Sequence, residues 1–182
     1  AETCSIRVAS RRPVFAARPE ECAVAAAALG TGRWAAIHAQ PTMWPGRNWP
    51  ARHFSALASI LKEEGWRVAL VGRDGGEPLP CDVDLRRRTP SAAGLAGALS
   101  ACGLFVGVDG FPMHLATALS VPAVAVFGAI DPAMRLPGEG PSVGVSVPAH
   151  ALWCLGCHHR LPPPRVWSGC LRGAPYCMEA LD

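Results

Sequence analysis

The sequence predicts a doubly wound α/β domain built on a parallel β-sheet, and three observations indicate this class. Short apolar runs that end at glycine or polar turns alternate with segments of helical spacing from about residue 33 to residue 147. The clearest unit is 104–131, where two apolar runs flank a tight turn and a short helical segment, as in a strand–helix–strand crossover between parallel strands. With 182 residues, half of them apolar, the chain has enough material for one such core.

Each expected element has a local signal. Acidic residues after Pro19 suit the first turn of a helix, and segment 51–64 has apolar residues spaced to cover one helical face. Ser91 suits an N-cap, and Pro112 suits a first helical turn. In chain order we expect a helix over 19–30, a strand over 33–38, a helix over 51–64, strands over 66–71 and 83–85, a helix over 92–102, a strand over 104–106, a helix over 112–119, a strand over 123–127 and an edge strand over 142–147. This alternation defines a single Rossmann-like domain.

Polar loops follow several of the expected strands. They occupy residues 39–50, 72–77, 109–114 and 128–131. In open α/β sheets, ligands bind outside the carboxyl ends of the strands. We therefore expect the binding site among these loops.

Composition and charge exclude several classes of protein. The net charge is only +3, and the basic residues form no stripe with interleaved aromatic residues. Both observations argue against a nucleic-acid-binding protein. No window of 18 consecutive apolar residues and no signal-peptide core are present, so we expect a soluble, cytoplasmic protein without a membrane span. The chain starts with Ala rather than Met, and we expect it to be a piece of a longer protein.

The loop after the first strand contains Thr42 and Arg47. A hydroxyl and a guanidinium at a strand end suit a phosphate, because one donates a neutral hydrogen bond and the other a bidentate charged one. The alternative is a solvated loop with an arginine on the surface.

The turn from Asp109 to His114 places backbone N–H groups at a helix start, which is a ready anion site. Asp109 would either cap the turn or accept hydrogen bonds from backbone N–H groups or a sugar hydroxyl. His114 would either contact a ligand or only pack. Neither G-x-G-x-x-G nor G-x-x-x-x-G-K-[ST] is present, so dinucleotide and P-loop sites are unsupported.

The spacing Cys154-x2-Cys157-x12-Cys170-x6-Cys177 indicates a tetrathiolate metal site. Thiolates fit zinc and iron alike, and the neighbouring histidines at 158 and 159 are alternative ligands. Two disulfides or four free thiols are the other interpretations, although disulfides are rare in the cytoplasm. Four thiolate ligands leave no open position for water, so such a metal would be structural.

Residues 33–140 resemble the C-terminal half of glycosyltransferase family nine, the ADP-heptose heptosyltransferases and their relatives. The resemblance depends on the R-N-W-P loop at 47–50 and on D-x-x-P-M-H-L-A at 109–116, followed by P-x-V-x-x-F-G at 122–128. It implies a two-domain GT-B architecture. In that architecture the N-terminal domain binds the acceptor and carries the catalytic carboxylate, while the C-terminal domain binds the nucleotide-sugar donor. Transfer inverts the anomeric centre without a divalent metal.

The resemblance also assigns roles to individual residues. Thr42 and Arg47 match the hydroxyl and the basic residue that contact the donor phosphates in the family. Asp109 and His114 match the family's sugar-binding turn. Asp74 lies near the position of a family acidic residue that contacts the ribose, and Glu77 competes for this role. The expected donor-binding residues are Thr42, Arg47, Asp74, Asp109, Gly110 and His114. The catalytic base is expected outside this chain, in the missing acceptor domain.

One departure from the family pattern favours a second hypothesis. The family turn usually reads D-[ST]-G, whereas Gly110-Phe111 follow Asp109 here. A non-catalytic binding or scaffold module that keeps the fold is therefore the alternative to a donor-binding domain. A different GT-B enzyme, such as a nucleotide-sugar epimerase, is the third hypothesis for the function.

The cysteine segment resembles the metal finger of autotransporter heptosyltransferases, which hold one iron with four cysteines. The expected organisation is a linker and N-terminal helix over 1–32, a nucleotide-sugar-binding domain over 33–150 and a metal finger over 151–182.

Overall fold

The computed structural model describes residues 12–39, 41–73, 75–148, 150–160 and 169–181. Within these ranges the chain forms one six-stranded parallel sheet in the order β3-β2-β1-β4-β5-β6. The strands are β1 Trp34–His38, β2 Arg67–Leu70, β3 Val83–Asp84, β4 Leu104–Val108, β5 Ala123–Val126 and β6 Ser142–Val145. The helices are α1 Pro19–Leu29, α2 Ala51–Glu63, α3 Ala92–Ser100, α4 Phe111–Ala118, α5 Cys157–Arg160 and α6 Tyr176–Glu179, with short 3-10 turns at Pro45–Arg47 and Pro132–Met134.

The strand order confirms the doubly wound prediction. Going outwards from β1, the chain builds one half of the sheet through β2 and β3, then returns to add β4, β5 and β6 on the other side. The reversal opens a crevice between the carboxyl ends of β1 and β4, where ligands of such sheets bind. His38 pairs with Gly107 across these strands, so the loop after β1 and the turn after β4 leave the sheet side by side.

Both faces of the sheet are covered. Side chains alternate along β1, so that Trp34 and Ala36 join a core with α1, α3 and α4, while Ala35 and Ile37 join one with α2 and the C-terminal segment. A parallel sheet buried on both faces gives continuous apolar strands rather than alternating ones. This explains the uninterrupted apolar runs in the sequence.

Strand β4 differs from its prediction. We expected the strand to end at residue 106, but it continues through Gly107 to Val108. Gly107 pairs on both sides, with His38 and with Ala125. A Cβ at this position would lie 2.8 Å from the ring of Phe105, so the glycine gives that buried ring its space.

Two local predictions are confirmed. The hydroxyl of Ser91 accepts a hydrogen bond from the N–H of Gly94 at 3.0 Å and caps α3. Strand β6 lies at the edge of the sheet. Among the described residues, no helix combines the length and the apolar character needed to cross a membrane.

Candidate functional site

A buried carboxylate lies at the centre of the crevice. Asp109 directly follows β4 and is only 4% exposed. Its carboxylate lies 3.5 Å from Nε of Arg47, 3.7 Å from Nε2 of His114 and 3.9 Å from Nε of Arg135. Its backbone carbonyl accepts hydrogen bonds from Nε of Arg47, at 3.1 Å, and from Nη2 of the same side chain. The crevice therefore holds one negative charge among several basic groups.

The ionisation of Asp109 follows from this environment. Burial disfavours the charged form, but the nearby His114, Arg47 and Arg135 side chains outweigh it and lower the pKa of Asp109 below its usual value. The carboxylate is thus charged at neutral pH. A charged carboxylate has only acceptor oxygens, so Asp109 can accept hydrogen bonds but cannot donate them.

The turn after Asp109 excludes one of the alternatives considered for this side chain. Asp109 does not cap α4, because the N-cap is Gly110 and no side chain makes a capping hydrogen bond. The first turn offers the N–H groups of Phe111 and Met113 to an anion, since Pro112 has none. Phe111, the first residue of α4, is 57% exposed.

Of the two residues in the loop after β1 that were predicted to bind phosphate, only Arg47 contacts Asp109, and Thr42 does not. Arg47 ends the 3-10 turn and reaches across to β4. The hydroxyl of Thr42 lies 3.1 Å from the carbonyl of Trp44 and 2.9 Å from Oδ1 of Asn48, and it accepts the N–H of Trp44 at 3.2 Å. Its single proton is therefore used inside the loop, where it fixes the turn that carries Arg47.

A cavity of about 520 Å³ adjoins this cluster on the β1 and β2 side. Arg47, Asn48 and Trp49 line one wall, and Gly76 and Glu77 line another. This volume falls in the range of small-molecule sites. Of the two acidic residues considered for a ribose, Glu77 lines the cavity, whereas Asp74 lies outside the described residues.

The loop after β5 packs tightly against the Arg47 turn. The N–H of Ala129 donates to the carbonyl of Gly46 at 3.0 Å, and a Cβ on Gly46 would lie 2.7 Å from that of Ala129. Gly128 is equally close-packed, because its own Cβ would lie 2.7 Å from Sγ of Cys177. The two loops and the cysteine segment thus support one another.

The four clustered cysteines line one small cavity of about 40 Å³ beside Gly46 and Ala129: Cys154, Cys157, Cys170 and Cys177. All four are unpaired. Burial, together with the other three sulfurs, raises the pKa of Cys177 to about 11, and burial and the neighbouring sulfurs also raise the pKa of Cys157. Within the described ranges, no three Cys, His, Asp or Glu side chains are grouped as metal ligands.

Two contacts at the site were not predicted from the sequence. Arg135 reaches Asp109 from beyond the Pro132–Met134 turn. His158 packs its ring 4.5 Å from that of Trp44, and its backbone N–H donates to the carbonyl of Ala129. The available signal for Arg135 was its place just after the fourth strand-end loop.

Comparison with known proteins identifies the family. Residues 3–161 match glycosyltransferase family 9 (heptosyltransferase), and the chain belongs to this family. Lipopolysaccharide heptosyltransferase 3 of Escherichia coli is 31% identical over 94 residues, which are 46% of this chain and 28% of that protein. Lipopolysaccharide heptosyltransferase 1 of Pseudomonas aeruginosa is 33% identical over 98 residues, with 50% and 28% covered. The chain therefore spans under a third of the length of these relatives.

Solved structures share the fold. The E. coli ADP-heptose lipopolysaccharide heptosyltransferase II matches with a TM-score of 0.63 and 21% identity over 75% of this chain and 46% of that one. A family 9 glycosyltransferase from Veillonella parvula matches with a TM-score of 0.62 and 18% identity, covering 78% and 44%. The dodecameric iron-containing heptosyltransferase TibC, in complex with ADP-D-beta-D-heptose, matches with a TM-score of 0.53 and 21% identity, covering 82% and 41%. The parallel sheet with its helices is thus that of GT-B-like heptosyltransferases.

The charge on Asp109 predicts an acid-sensitive contribution to stability. A carboxyl whose pKa is lowered by folding stabilises the protein fully above its unfolded pKa of about 3.9, and this contribution is lost as the pH falls through the folded pKa. In urea unfolding from pH 6 down to about pH 3, we expect the free energy of unfolding of Asp109→Asn to fall less steeply with acid than that of the unsubstituted protein. Parallel curves for the two proteins would contradict the assignment.

Proposed function

We propose that this chain is the nucleotide-sugar donor-binding domain of an inverting, heptosyltransferase-like glycosyltransferase, with an ADP-heptose-like donor. The observation that carries the proposal is the Arg47–Asp109–His114 cluster at the crevice between β1 and β4. Family membership and the names of the relatives support the same chemistry.

In this proposal the donor lies along the carboxyl edge of the sheet. The nucleoside occupies the cavity beside Arg47, with Glu77 accepting hydrogen bonds from the ribose. The diphosphate lies between the guanidinium of Arg47 and the N–H groups of Phe111 and Met113. Arg47 already uses Nε and Nη2 to hold the Asp109 carbonyl, which leaves Nη1 to donate to a phosphate oxygen.

The sugar would extend beyond the diphosphate to Asp109 and His114. The charged carboxylate accepts hydrogen bonds from sugar hydroxyls, and the half-exposed His114 ring lies beside it. Thr42 acts indirectly in this arrangement, since its hydroxyl holds the loop rather than the ligand. Because the chain spans 28% of its relatives' length, we assign the acceptor domain and the catalytic base to the rest of the full-length protein.

Titration calorimetry of the full-length protein tests the proposal. We expect ADP and ADP-heptose to bind with micromolar dissociation constants, of the order usual for enzyme substrates, and UDP to bind more weakly. Absence of ADP binding at millimolar concentration would overturn the donor-site assignment.

The second candidate is a binding or scaffold module without catalysis. The observation that favours it is Phe111, whose exposed ring stands where the family usually has glycine. Donor binding without hydrolysis or transfer of the sugar, measured as ADP release with glycan or protein acceptors, would support this candidate.

We further propose that residues 151–182 form a structural metal finger with one zinc or iron. Two observations support this proposal: four unpaired cysteines line one small cavity, and TibC, which shares the fold, is named as iron-containing. Binding would require these thiols to lose protons and close around the ion. Four thiolates would leave no position for water, so the ion would support the Arg47 loop rather than take part in transfer. Unpaired thiols also suit a reducing compartment, and we propose a cytoplasmic location.

Metal analysis of the purified protein provides the test. We expect about one equivalent of zinc or iron per chain, lost in Cys157→Ser and kept in Cys81→Ser, which changes a half-buried thiol outside the cluster. A full complement of free thiols in a protein that lacks metal would contradict the finger.

A further inference from the structure

A second cavity, of about 320 Å³, lies beside the candidate donor site and has no assigned role. It opens between the loop after β5, the end of β6 and the first part of the cysteine segment. Its volume falls at the lower end of the range for small-molecule sites. The residues that matter for its chemistry are Asp131, Met134, Ser146, Trp153, His159 and Arg160.

The position of this cavity relates it to the donor. Ser146 directly follows β6, and Asp131 ends the loop after β5, so both lie at the same edge of the sheet as Asp109. The Pro132–Met134 turn forms part of the cavity wall, and Arg135, the next residue, reaches the Asp109 carboxylate. Along the edge, the nucleotide cavity, the Asp109 cluster and this second cavity therefore follow one another.

The lining combines an exposed apolar surface with hydrogen-bond donors and acceptors. Trp153 is 70% exposed and Met134 is 61% exposed, while Ile130 and Val147 are buried beneath them. The guanidinium of Arg160 lies 3.5 Å from the backbone carbonyl oxygen of Trp153, so the same lining also contains a cation.

The polar groups are matched to hydroxyls. Asp131 supplies carboxylate oxygens, one of which accepts the N–H of Ala133 at 2.9 Å, and Arg160 supplies donors. Ser146 does both. An isolated phosphate would meet the Asp131 carboxylate, and a purely apolar ligand would leave these charges without partners. A saccharide fits, because its hydroxyls donate and accept while its C–H face covers an aromatic ring.

We propose that this cavity is a saccharide-binding subsite in which a sugar ring stacks on Trp153 and hydrogen-bonds to Asp131 and Arg160. Because the cavity lies beyond the Asp109 cluster, we assign this sugar to the acceptor glycan, one unit of which would contact this chain while the remainder contacts the acceptor domain. The acceptor role rests on the transferase function proposed above, whereas saccharide binding does not.

Saturation-transfer NMR on the full-length protein tests the subsite, with methyl α-D-mannopyranoside and methyl α-D-glucopyranoside as probes. We expect saturation transfer to at least one of them and an apparent Kd that rises about tenfold in Trp153→Ala. Trp153→Phe should retain binding, because the aromatic face remains. Ile60→Ala, which removes an exposed apolar side chain from α2, is the matched control and should bind as the unsubstituted protein does.

The outcomes separate this inference from the proposed function. No saturation transfer to either probe, or equal transfer in Trp153→Ala, would overturn the subsite. Titration of ADP into the same samples gives an independent result, and Trp153→Ala should keep its ADP affinity. Absence of ADP binding together with Trp153-dependent saccharide binding would overturn the donor site and leave the subsite standing.

Discussion

Replacing Arg47 by alanine is expected to weaken ADP binding by about 2 kcal/mol, roughly a thirtyfold rise in Kd. In the proposed donor site, the guanidinium is the basic group best placed for a diphosphate, because it lies at the end of the Pro45–Arg47 turn and against the Asp109 carbonyl. Arg47→Lys should recover only part of the loss. A lysine ammonium keeps the charge but cannot hold the carbonyl and a phosphate oxygen at once with a rigid fork.

Two comparisons make this result specific. Arg88→Ala removes the same charge from an exposed position between β3 and α3 and should leave ADP affinity unchanged. Thermal unfolding of Arg47→Ala shows whether the folded fraction is retained during the titration. Equal ADP affinity of Arg47→Ala and the unsubstituted protein would remove Arg47 from the site.

Replacing Gly97 by alanine is expected to lower the free energy of unfolding by about 1–2 kcal/mol. A Cβ at this buried position of α3 would lie 2.5 Å from the carbonyl oxygen of Glu21 and 2.6 Å from its carbonyl carbon, both in the backbone of α1. Backbone atoms cannot rotate away, so the helices must separate. Such overpacking costs up to about 3 kcal/mol, of which the better helix propensity of alanine recovers about 1 kcal/mol.

Gly94→Ala is the matched control in the same helix. Its Cβ would approach no atom more closely than 3.3 Å, and that atom is the N-cap hydroxyl of Ser91, which needs to shift by only a few tenths of an ångström. We expect a gain of about 0.5–1 kcal/mol from helix propensity. Urea unfolding at neutral pH measures both variants, and equal stabilities would show that α1 and α3 are not held at this distance.

Much of the site could be predicted because it follows from strand ends. The apolar runs mark where the strands stop, and parallel strands end at one edge of the sheet, so Arg47, Asp109 and His114 were expected near one another. The structure places them within hydrogen-bonding or ion-pair distance. The role of each in donor binding stays a prediction.

Other contacts were beyond the reach of sequence patterns. The sequence does not show whether a loop hydroxyl contacts a ligand or stabilises its own turn. The hydroxyl of Thr42 contacts Trp44 and Asn48 within the loop. Arg135 carries no motif, and only the path of the Pro132–Met134 turn brings it to Asp109. The cavity beside Trp153 is likewise formed by segments from three parts of the chain.

The sequence by itself determined the alternation of strands and helices, the family and the strand-end residues, because these depend on local periodicity and short motifs. Only the tertiary structure decided how the loops meet. It showed that α1 packs onto α3 at Gly97 and that the cysteine segment packs on Gly128 behind the Arg47 turn. Such close approaches depend on the distance between backbones that are far apart in the chain, and a glycine in the sequence does not reveal which backbone will fill the space beside it.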